Sequence, residues 1–276
     1  YLNFSINFTD KIYVVKYVLG DVNMIRGLYT SATGMVTQAK LLDTISNNLA
    51  NADSTGFKKD TLVVSSFKNE LTKRIENNNN QDIGGMKMGV YADQTYTNFQ
   101  QGSLRQTGNK LDFAVKGNGF FTVETKDANG NKTERLTRNG SFTLNEHQQL
   151  VTQEGDSVID ENGGYIYIPD RDVYILDNDG KLFFNNEQIA KLKVVNVENP
   201  DTLRKMGNSM FSTTTDTKIT TFDAEVMQGY TEASNVNTIK EMVDMINVTR
   251  NYETNQRLVQ IHDQLLSKSV NEIGRV

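Results

Sequence analysis

The sequence contains no cysteine and only two histidines among its 276 residues. Without cysteine the chain cannot form a disulfide bond, a thiolate metal site or a Cys–His nucleophile. His147 and His262 lie in different regions, and neither has a histidine or glutamate partner at the helical spacing of a zinc site. No Gly-x-Ser-x-Gly elbow is present either. We therefore expect no enzyme activity, no cofactor and no metal.

Long hydrophobic runs and clusters of one charge are also missing. A membrane-spanning helix needs about 20 apolar residues, whereas the best run, Ile12 to Leu19, is interrupted by Lys16. The same run lacks a small-residue cleavage site, so it is a poor signal peptide. The net charge is -5, with acidic and basic residues mixed along the chain. We expect a protein that neither spans a membrane nor binds nucleic acid, since phosphate binding needs clustered Lys and Arg.

Two near-matches to binding loops fail at their key positions. Gly117–Gly119 resembles the start of a dinucleotide-binding loop, but Thr122 stands where the third glycine belongs and a strand pattern follows. Asp127–Asn131 resembles a calcium loop, but Lys132 replaces its glycine and Arg138 its bidentate glutamate. Turns explain both segments better.

The region from Met24 to about Asn51 has a helical pattern. Apolar or small residues recur there in alternating steps of four and three, which is typical of a coiled-coil seam. Its members are Leu28, Ala32, Met35, Ala39, Leu42, Ser46 and Leu49. The predicted helix ends before Gly56.

A second helical pattern runs from Ser234 to Ile273 without glycine or proline. Apolar residues recur at every seventh position, as in a heptad seam. These residues are Met245, Tyr252, Val259, Leu266 and Ile273. Because an isolated apolar seam needs a partner, we expect the two terminal helices to pack on each other.

The region between the two helices has β character. Short runs rich in β-branched and aromatic residues, such as Phe120–Val123 and Lys193–Val197, alternate with Asn-Gly and Asp-Gly turns. This combination predicts hairpins and an antiparallel sheet or barrel. Tyr165–Ile168 is predicted as one more strand, whereas the polar tract Glu76–Gly85 is predicted as a loop or linker.

The predicted fold class is α+β. Both termini form one discontinuous, coiled-coil-like helical domain, and a central antiparallel β-rich domain stands between them in the chain. The predicted bounds are 1–23 for a leader, 24–60 and 225–276 for the helical domain, 61–100 for an extended linker region and 101–224 for the β-rich domain. The alternative is one α+β monomer whose helices cover the sheet, and periodicity does not separate the two.

Three groups of motifs are similar to those of the flagellar rod and hook protein family. They stand in the family's order and cover nearly all of the chain from Met24 onward. The segments are Met24–Met35, Ile45–Asn51 and Thr55–Lys58; Thr107–Asp112, Val115–Val123, Thr137–Phe142 and Leu150–Gly155; and Gly229–Asn237, Glu241–Ile246, Arg250–Glu253 and Asn255. Residues 1–23 match nothing in the family, so we expect translation to start at Met24.

The resemblance implies a structural subunit of the bacterial flagellar basal-body rod, which polymerises into the axial drive shaft that carries torque to the hook. The implied partners are further copies of the chain, other axial proteins of the rod and hook, and the flagellar export apparatus. The family is exported beyond the cytoplasmic membrane without a cleaved signal peptide. Within it, Met24–Arg26 and the length are most similar to the distal rod protein, with the proximal rod protein and Gram-positive paralogues as alternatives.

The residues expected to carry this function are assembly residues. Leu28, Met35, Leu42 and Leu49 of the first helix, and the five heptad residues of the last, are expected to pack between helices. Four asparagines are expected to fix register or to cap helices, with ordinary helix-end chemistry as the alternative. They are Asn48, Asn51, Asn235 and Asn237.

Two other functions fit parts of the sequence. A secreted, wall-associated binding module would use the β-rich domain alone and leave the terminal helices dispensable. A peptidoglycan-acting enzyme would need a catalytic constellation, whereas the sequence offers only common carboxylate pairs such as Asp170 and Asp172.

Overall fold

The computed structural model describes residues 26–67, 70–76, 79–86, 89–126, 130–168, 174–184, 187–207, 209–220, 225–268 and 271. The leader 1–23, Met24 and Ile273, on which the sequence makes predictions, lie outside the described residues. The chain divides into two compact units. Unit one comprises residues 1–42, 63–94 and 246–276, and unit two comprises residues 43–62 and 95–245.

Two long helices flank the strands, as predicted. α1 spans Arg26–Ala50 and α2 spans Thr238–Lys268. Asn237 caps α2, because its side-chain oxygen accepts a hydrogen bond from the backbone N–H of Lys240 at 3.0 Å. Glu241 stands in the first turn of α2 and Lys268 in the last, which is the arrangement that the helix dipole favours.

Between the helices the described residues form β-strands. In chain order they are β1 (Asp60–Ser66), β2 (Glu70–Glu76), β3 (Asn79–Met86), β4 (Val90–Thr97), β5 (Leu104–Gln106), β6 (Phe113–Lys116), β7 (Phe120–Lys126), β8 (Lys132–Thr137), β9 (Phe142–Leu144), β10 (Leu150–Thr152), β11 (Ser157–Val158), β12 (Tyr174–Leu176), β13 (Lys181–Phe184), β14 (Glu187–Lys191), β15 (Val194–Val197), β16 (Arg204–Met206), β17 (Met210–Ser212), β18 (Ile219–Thr220), β19 (Glu225–Gln228) and β20 (Tyr230–Glu232).

The largest sheet lies in unit two and confirms the predicted antiparallel β-rich region. Its strands are paired in the order β16-β17-β8-β7-β11-β10-β9, and β15 pairs with both β7 and β18. All of these pairs are antiparallel. Three smaller antiparallel sheets accompany it in the same unit: β12-β13-β14, β6 with β19, and β5 with β20.

The core of unit two forms because its central strands are apolar on both faces. β6 and β7 have consecutive buried residues rather than an alternating pattern, as expected for strands that are covered on both sides. Two clusters of buried side chains result. The larger includes Phe113, Phe121, Phe142, Leu150, Ile166, Ile168 and Leu182, and the smaller consists of Phe120, Leu136, Val197, Leu203 and Phe211, with Phe99 and Val195 packed against it.

Two of the predicted turns have the glycine geometry that the sequence suggested. The N–H of Gly163 donates to the carbonyl oxygen of Asp160 at 3.0 Å, and that of Gly180 to Asp177 at 2.9 Å. Both glycines have positive φ angles, 81° and 78°, which glycine adopts without steric cost. The second turn joins the antiparallel strands β12 and β13.

The prediction of a strand at Tyr165–Ile168 is wrong. This segment makes two isolated antiparallel bridges, to Ile159 and Gln149, and two backbone hydrogen bonds, to Gln148 and Leu150, rather than a continuous ladder. Ile166 and Ile168 are nevertheless buried in the larger cluster. The apolar alternation therefore reported burial correctly, although the segment does not extend into a paired strand.

The prediction of a loop at Glu76–Gly85 is also wrong. β2 and β3, in unit one, pair antiparallel along their whole length, from Glu70 opposite Met86 to Glu76 opposite Asn79. Main-chain hydrogen bonds to a neighbouring strand are available to polar and apolar residues alike. Side-chain composition therefore did not report this pairing.

Replacing Phe211 with alanine should lower the free energy of unfolding by about 3–5 kcal/mol, because the change opens a cavity in the smaller cluster. Ile175→Ala is the matched control. The Ile175 side chain is 66% exposed, so its truncation should change stability by about 0.5 kcal/mol or less. Denaturant unfolding followed by circular dichroism measures both variants, and equal effects would contradict the core assignment.

Candidate functional site: a buried polar junction and an exposed apolar helix surface

Three charged side chains in unit two are buried together. Lys58, Arg138 and Glu232, here called the ion triad, are 1%, 3% and 1% exposed. The Lys58 Nζ donates to Glu232 Oε1 at 2.5 Å, and the Arg138 guanidinium donates to Oε2 at 3.2 Å. The N–H of Gly102 also donates to Oε1, at 2.9 Å, and Lys58 donates to the carbonyl oxygen of Gln100 at 2.8 Å. The Glu232 carboxylate thus binds donors from three separate parts of the chain.

One carboxylate serves two cations in this triad. Burial lowers the pKa of the Lys58 ammonium; the charge of Glu232 opposes this shift and that of Arg138 adds to it. Burial also lowers the pKa of the Arg138 guanidinium, and Glu232 again opposes the shift. Within the described part of the chain the Arg138 Nε has no hydrogen-bond partner. Loss of the Glu232 charge would leave two buried cations without compensation, which is costly in a protein interior.

A turn after α1 brings Lys58 to this position. Gly56 in that turn has a φ angle of 67°, and its N–H donates to the backbone oxygen of Glu232 at 2.7 Å. A β-carbon on Gly56 would overlap the peptide between Arg138 and Asn139. Glycine is therefore required here both by the left-handed backbone and by the close approach of another segment.

A second polar group surrounds the end of α1. The buried Asn48 exchanges two hydrogen bonds with the backbone of Asp60: its Oδ1 accepts from the N–H at 2.9 Å, and its Nδ2 donates to the carbonyl oxygen at 2.8 Å. The same Nδ2 donates to Glu241 Oε2 at 3.3 Å, and the Lys59 ammonium pairs with the other oxygen of Glu241. This group connects the last turn of α1 to the first turn of α2.

Asn235 and Lys205 extend this second group. The Asn235 Oδ1 accepts from the N–H of Lys59 at 2.7 Å, and its Nδ2 donates to the carbonyl oxygen of Asn98 at 2.8 Å. Lys205, on β16, donates to the Asp60 carboxylate at 2.8 Å. The helix ends are thereby bonded to strands as well as to each other.

The remaining two predicted asparagines make local contacts. The Asn51 Nδ2 donates to the carbonyl oxygen of Asn47 at 2.9 Å, at the end of α1, and Asn237 caps α2. Of the four asparagines, Asn48 and Asn235 are the ones that join different segments in the structure. A role of any of them in assembly stays a prediction.

Each member of the ion triad comes from a different motif group of the sequence. Lys58 belongs to Thr55–Lys58, Arg138 to Thr137–Phe142 and Glu232 to Gly229–Asn237. The sequence analysis identified Asn48 and Asn235 of the second polar group and missed the ion triad. Charged residues inside motifs otherwise made of small or apolar residues are the signal that could have found them, since such groups are seldom buried unless paired.

The ion triad and the second polar group have a structural role. Their carboxylates Glu232, Glu241 and Asp60 are each paired with a lysine or arginine of the same unit, whereas an acid–base site needs a group free to exchange its proton with a substrate. The described residues contain no group of three or more His, Asp or Glu that could hold a metal ion. No helix among them is long and apolar enough to cross a membrane.

The two helices face each other through small and polar residues. In unit one the His262 ring lies against Gly27 and the Asn255 carboxamide against Gly34, with no room for a β-carbon at Gly27. Gly27 and Gly34 are seven residues apart on α1, and their partners His262 and Asn255 are seven residues apart in the opposite direction on α2. The two helices are therefore antiparallel here, with a contact repeated every heptad. In unit two, Asn48 reaches Glu241. Glycine on α1 makes room for polar side chains of α2.

The predicted heptad residues lie beside this contact. Four on α1 and two on α2 are half-buried: Leu28, Met35, Leu42, Leu49, Met245 and Val259. Tyr252 and Leu266 are each 39% exposed. The contacts between the helices that the structure shows are those of His262 with Gly27 and of Asn255 with Gly34 in unit one, and that of Glu241 with Asn48 in unit two. The assembly role of the predicted residues stays a prediction.

α2 also exposes large apolar side chains. In unit one Leu258, Ile261 and Leu265 are between 42% and 56% exposed, as is Ile246. In unit two the residues are Ile239, Met242 and Val243. These seven are here called the exposed apolar residues of α2. They fit a helix that has a second contact to make, since an ordinary surface helix turns its polar side to water.

Three family models match the chain, each over a different part. Residues 28–58 match the model described as flagella basal body rod protein. Residues 114–188 match the flagellar hook protein FlgE/F/G D1 domain. Residues 227–273 match the flagellar basal body rod FlgEFG protein C-terminal model. The helices and the β-rich part are therefore each similar to a region of flagellar axial proteins.

Relatives match over nearly the whole chain. The flagellar basal-body rod protein FlgF of Caulobacter vibrioides is 33% identical over 257 residues, covering 92% of this chain and 100% of the relative. The flagellar basal-body rod protein FlgG of Buchnera aphidicola subsp. Schizaphis graminum is 31% identical over 264 residues, covering 89% and 98%. The flagellar hook-basal body complex protein FlhO of Bacillus subtilis is 28% identical over 284 residues, covering 92% and 100%.

Gly56→Ala should destabilise unit two far more than a glycine substitution at an open left-handed position. Gly163 has a φ angle of 81° and nothing within 4 Å of the position of a β-carbon, so Gly163→Ala should cost only about 1–2 kcal/mol of backbone strain. Gly56→Ala adds a collision with the Arg138 peptide, and we expect a total loss above about 4 kcal/mol. Denaturant unfolding compares the two, and similar losses would contradict the close approach.

Proposed function

We propose, since this chain belongs to the flagellar basal-body rod family, that the exposed apolar residues of α2 form a surface through which rod subunits polymerise. The chain is a structural subunit of the bacterial flagellar basal-body rod, and it assembles with other axial flagellar proteins. The family consists of structural proteins rather than enzymes. The comparisons give no support to a wall-associated binding module or to a peptidoglycan-acting enzyme.

The observation that supports this surface is the exposure of large aliphatic side chains along one helix. Ile261 is 50% exposed and Leu265 is 56% exposed. Covering a half-exposed side chain of this size contributes on the order of 1 kcal/mol, and several covered together offset part of the cost of association. Exposed apolar surface of this extent marks an interaction site.

A second copy of the chain is the occupant that this surface fits best. A rod is a polymer of like subunits, and open polymers form when one surface of a subunit binds a different surface of the next. The contact between α1 and α2 within one subunit is made by small and polar residues such as Gly34 and Asn255. Polar contacts set register at a cost in stability, so the apolar residues remain available to bind the neighbour.

The predicted heptad residues belong to the same proposal. Tyr252 and Leu266 are exposed enough to join the subunit contact, whereas Leu28, Met35, Leu42 and Leu49 would support α1 beneath it. We assign residues 24–60 and 225–276 to the axial core of the rod and residues 101–224 to its outside. Residues 61–100, which contain β2 to β4 and all of β1 except Asp60, would connect the two.

The remaining parts of the proposal concern partners. We propose that the rod formed by this chain carries torque to the hook, and that the chain reaches the rod through the flagellar export apparatus without a cleaved signal peptide. Relatives named FlgF and FlgG match at similar identity, 33% and 31%, and the proposal holds for either kind of rod protein.

Ile261→Asp should prevent incorporation into rods, because it places a charge in the apolar contact between copies. The isolated subunit should stay folded, with a change in stability within about 0.5 kcal/mol, since the residue is half exposed. Quantification of the protein in purified basal bodies, together with swarming in soft agar, measures the effect. Circular dichroism of the purified subunit checks that folding is intact.

Gln256→Asp is the matched control, since it adds the same charge to an exposed polar position of the same helix. It should assemble normally. Normal incorporation of Ile261→Asp would contradict the proposed surface. Normal motility after removal of both terminal helices would instead favour a function carried by the β-rich part alone.

A further inference from the structure

We infer that the ion triad of Lys58, Arg138 and Glu232 is a mechanical joint, which holds the β-rich part of the subunit in a fixed orientation on the helix ends. The inference rests on the proposed function of the chain as a torque-carrying rod subunit. It assigns the triad to the transmission of load within a subunit, and separates this from the assembly of subunits by the exposed apolar residues of α2.

The three side chains of the ion triad come from separate parts of the fold. Lys58 lies between α1 and β1, Arg138 follows β8, and Glu232 ends β20, five residues before the cap of α2. The Glu232 carboxylate receives bonds from both cations at 2.5 Å and 3.2 Å. One side chain therefore ties the chain leaving α1 and the chain entering α2 to the main sheet.

The helix ends lie outside the two hydrophobic clusters of unit two. In the described part of unit two, neither hydrophobic cluster includes a residue of 43–60 or 233–245. Ile45 and Phe57 of this segment are buried outside those clusters, and ion pairs and hydrogen bonds attach the helix ends to other segments. Apolar packing is non-directional, whereas charge-assisted hydrogen bonds are short and fix an orientation. This kind of attachment suits a part that must resist twisting.

A second group of ion pairs lies at the same helix ends as the ion triad. A second ion group, Lys59 with Glu241 and Lys205 with Asp60, attaches the same helix ends to each other and to β16. A single point of attachment permits rotation about any axis through it, whereas a second point restricts rotation to the line that joins the two. The joint is therefore predicted to be rigid as long as the triad is intact.

The test uses Glu232→Gln in the full chain, which keeps the size of the side chain and removes its charge. Exchange of the Gly56 and Gly102 amides, which donate to Glu232, should accelerate at least about 100-fold, because unpairing a buried charge is strongly destabilising. Amides of β7 and β8 should keep their protection. In cells the variant should enter basal bodies at the wild-type level, yet the stall torque of tethered cells should fall, because a rod whose joints yield under load transmits less torque to the hook.

Glu225→Gln is the matched control, because Glu225 pairs with Lys116 at 2.9 Å on the surface and is 51% exposed. It should leave exchange, incorporation and torque unchanged. If Glu232→Gln fails to fold, Lys58→Met is the second variant, since it leaves the pair between Arg138 and Glu232 in place. Its smaller loss of torque is then compared with the same control.

Three outcomes separate the possibilities. Torque and amide exchange that match the control would overturn the joint. A folded Glu232→Gln subunit that is missing from basal bodies would overturn it too, since the triad would then act in assembly. Absence of the wild-type protein from basal bodies would refute the proposed function itself, whatever the variants do.

Discussion

The carboxylate of Glu232 is the group on which the arrangement around the helix ends depends. It is buried, it accepts from two buried cations, and it has no competitor for that role within the ion triad. Taking Lys58 and Arg138 out of water is unfavourable unless both are compensated. The segments that carry them therefore close around Glu232 together. The aromatic and aliphatic clusters of the sheet supply stability, whereas the triad decides where the helix ends are attached.

On α2, polar residues contact α1 and large apolar residues are exposed, which is the reverse of the usual arrangement on a surface helix. α2 meets α1 through residues such as Asn255 and His262, which lie against the glycines of α1, while Ile261 and its neighbours remain exposed. In a monomeric protein this arrangement would leave apolar surface exposed to water without a binding partner. In a polymer it is consistent with the proposed subunit contact, in which the polar residues set the register of the pair and the apolar residues bind the next subunit.

Sequence reasoning found the elements whose signals are local. Heptad spacing located both helices, and Asp-Gly and Asn-Gly dipeptides located turns such as the one at Gly180. It failed where the decisive contact is distant in the chain. β3 is polar and becomes a strand because β2 supplies its main-chain partners. The triad joins residues that are 94 and 174 positions apart, and periodicity has no means of pairing them. The contact of His262 with Gly27 was not predicted, because heptad analysis counts apolar residues and does not report where glycine admits a polar side chain.

The position of this chain along the flagellar axis tests its role as a rod subunit most directly. It is measured by mass spectrometry of purified hook–basal bodies, combined with immunogold labelling of the same particles. We expect enrichment of the chain in these particles, with label on the rod between the membrane ring and the hook. Label on the hook alone, or protein found free in the medium and absent from the particles, would contradict it.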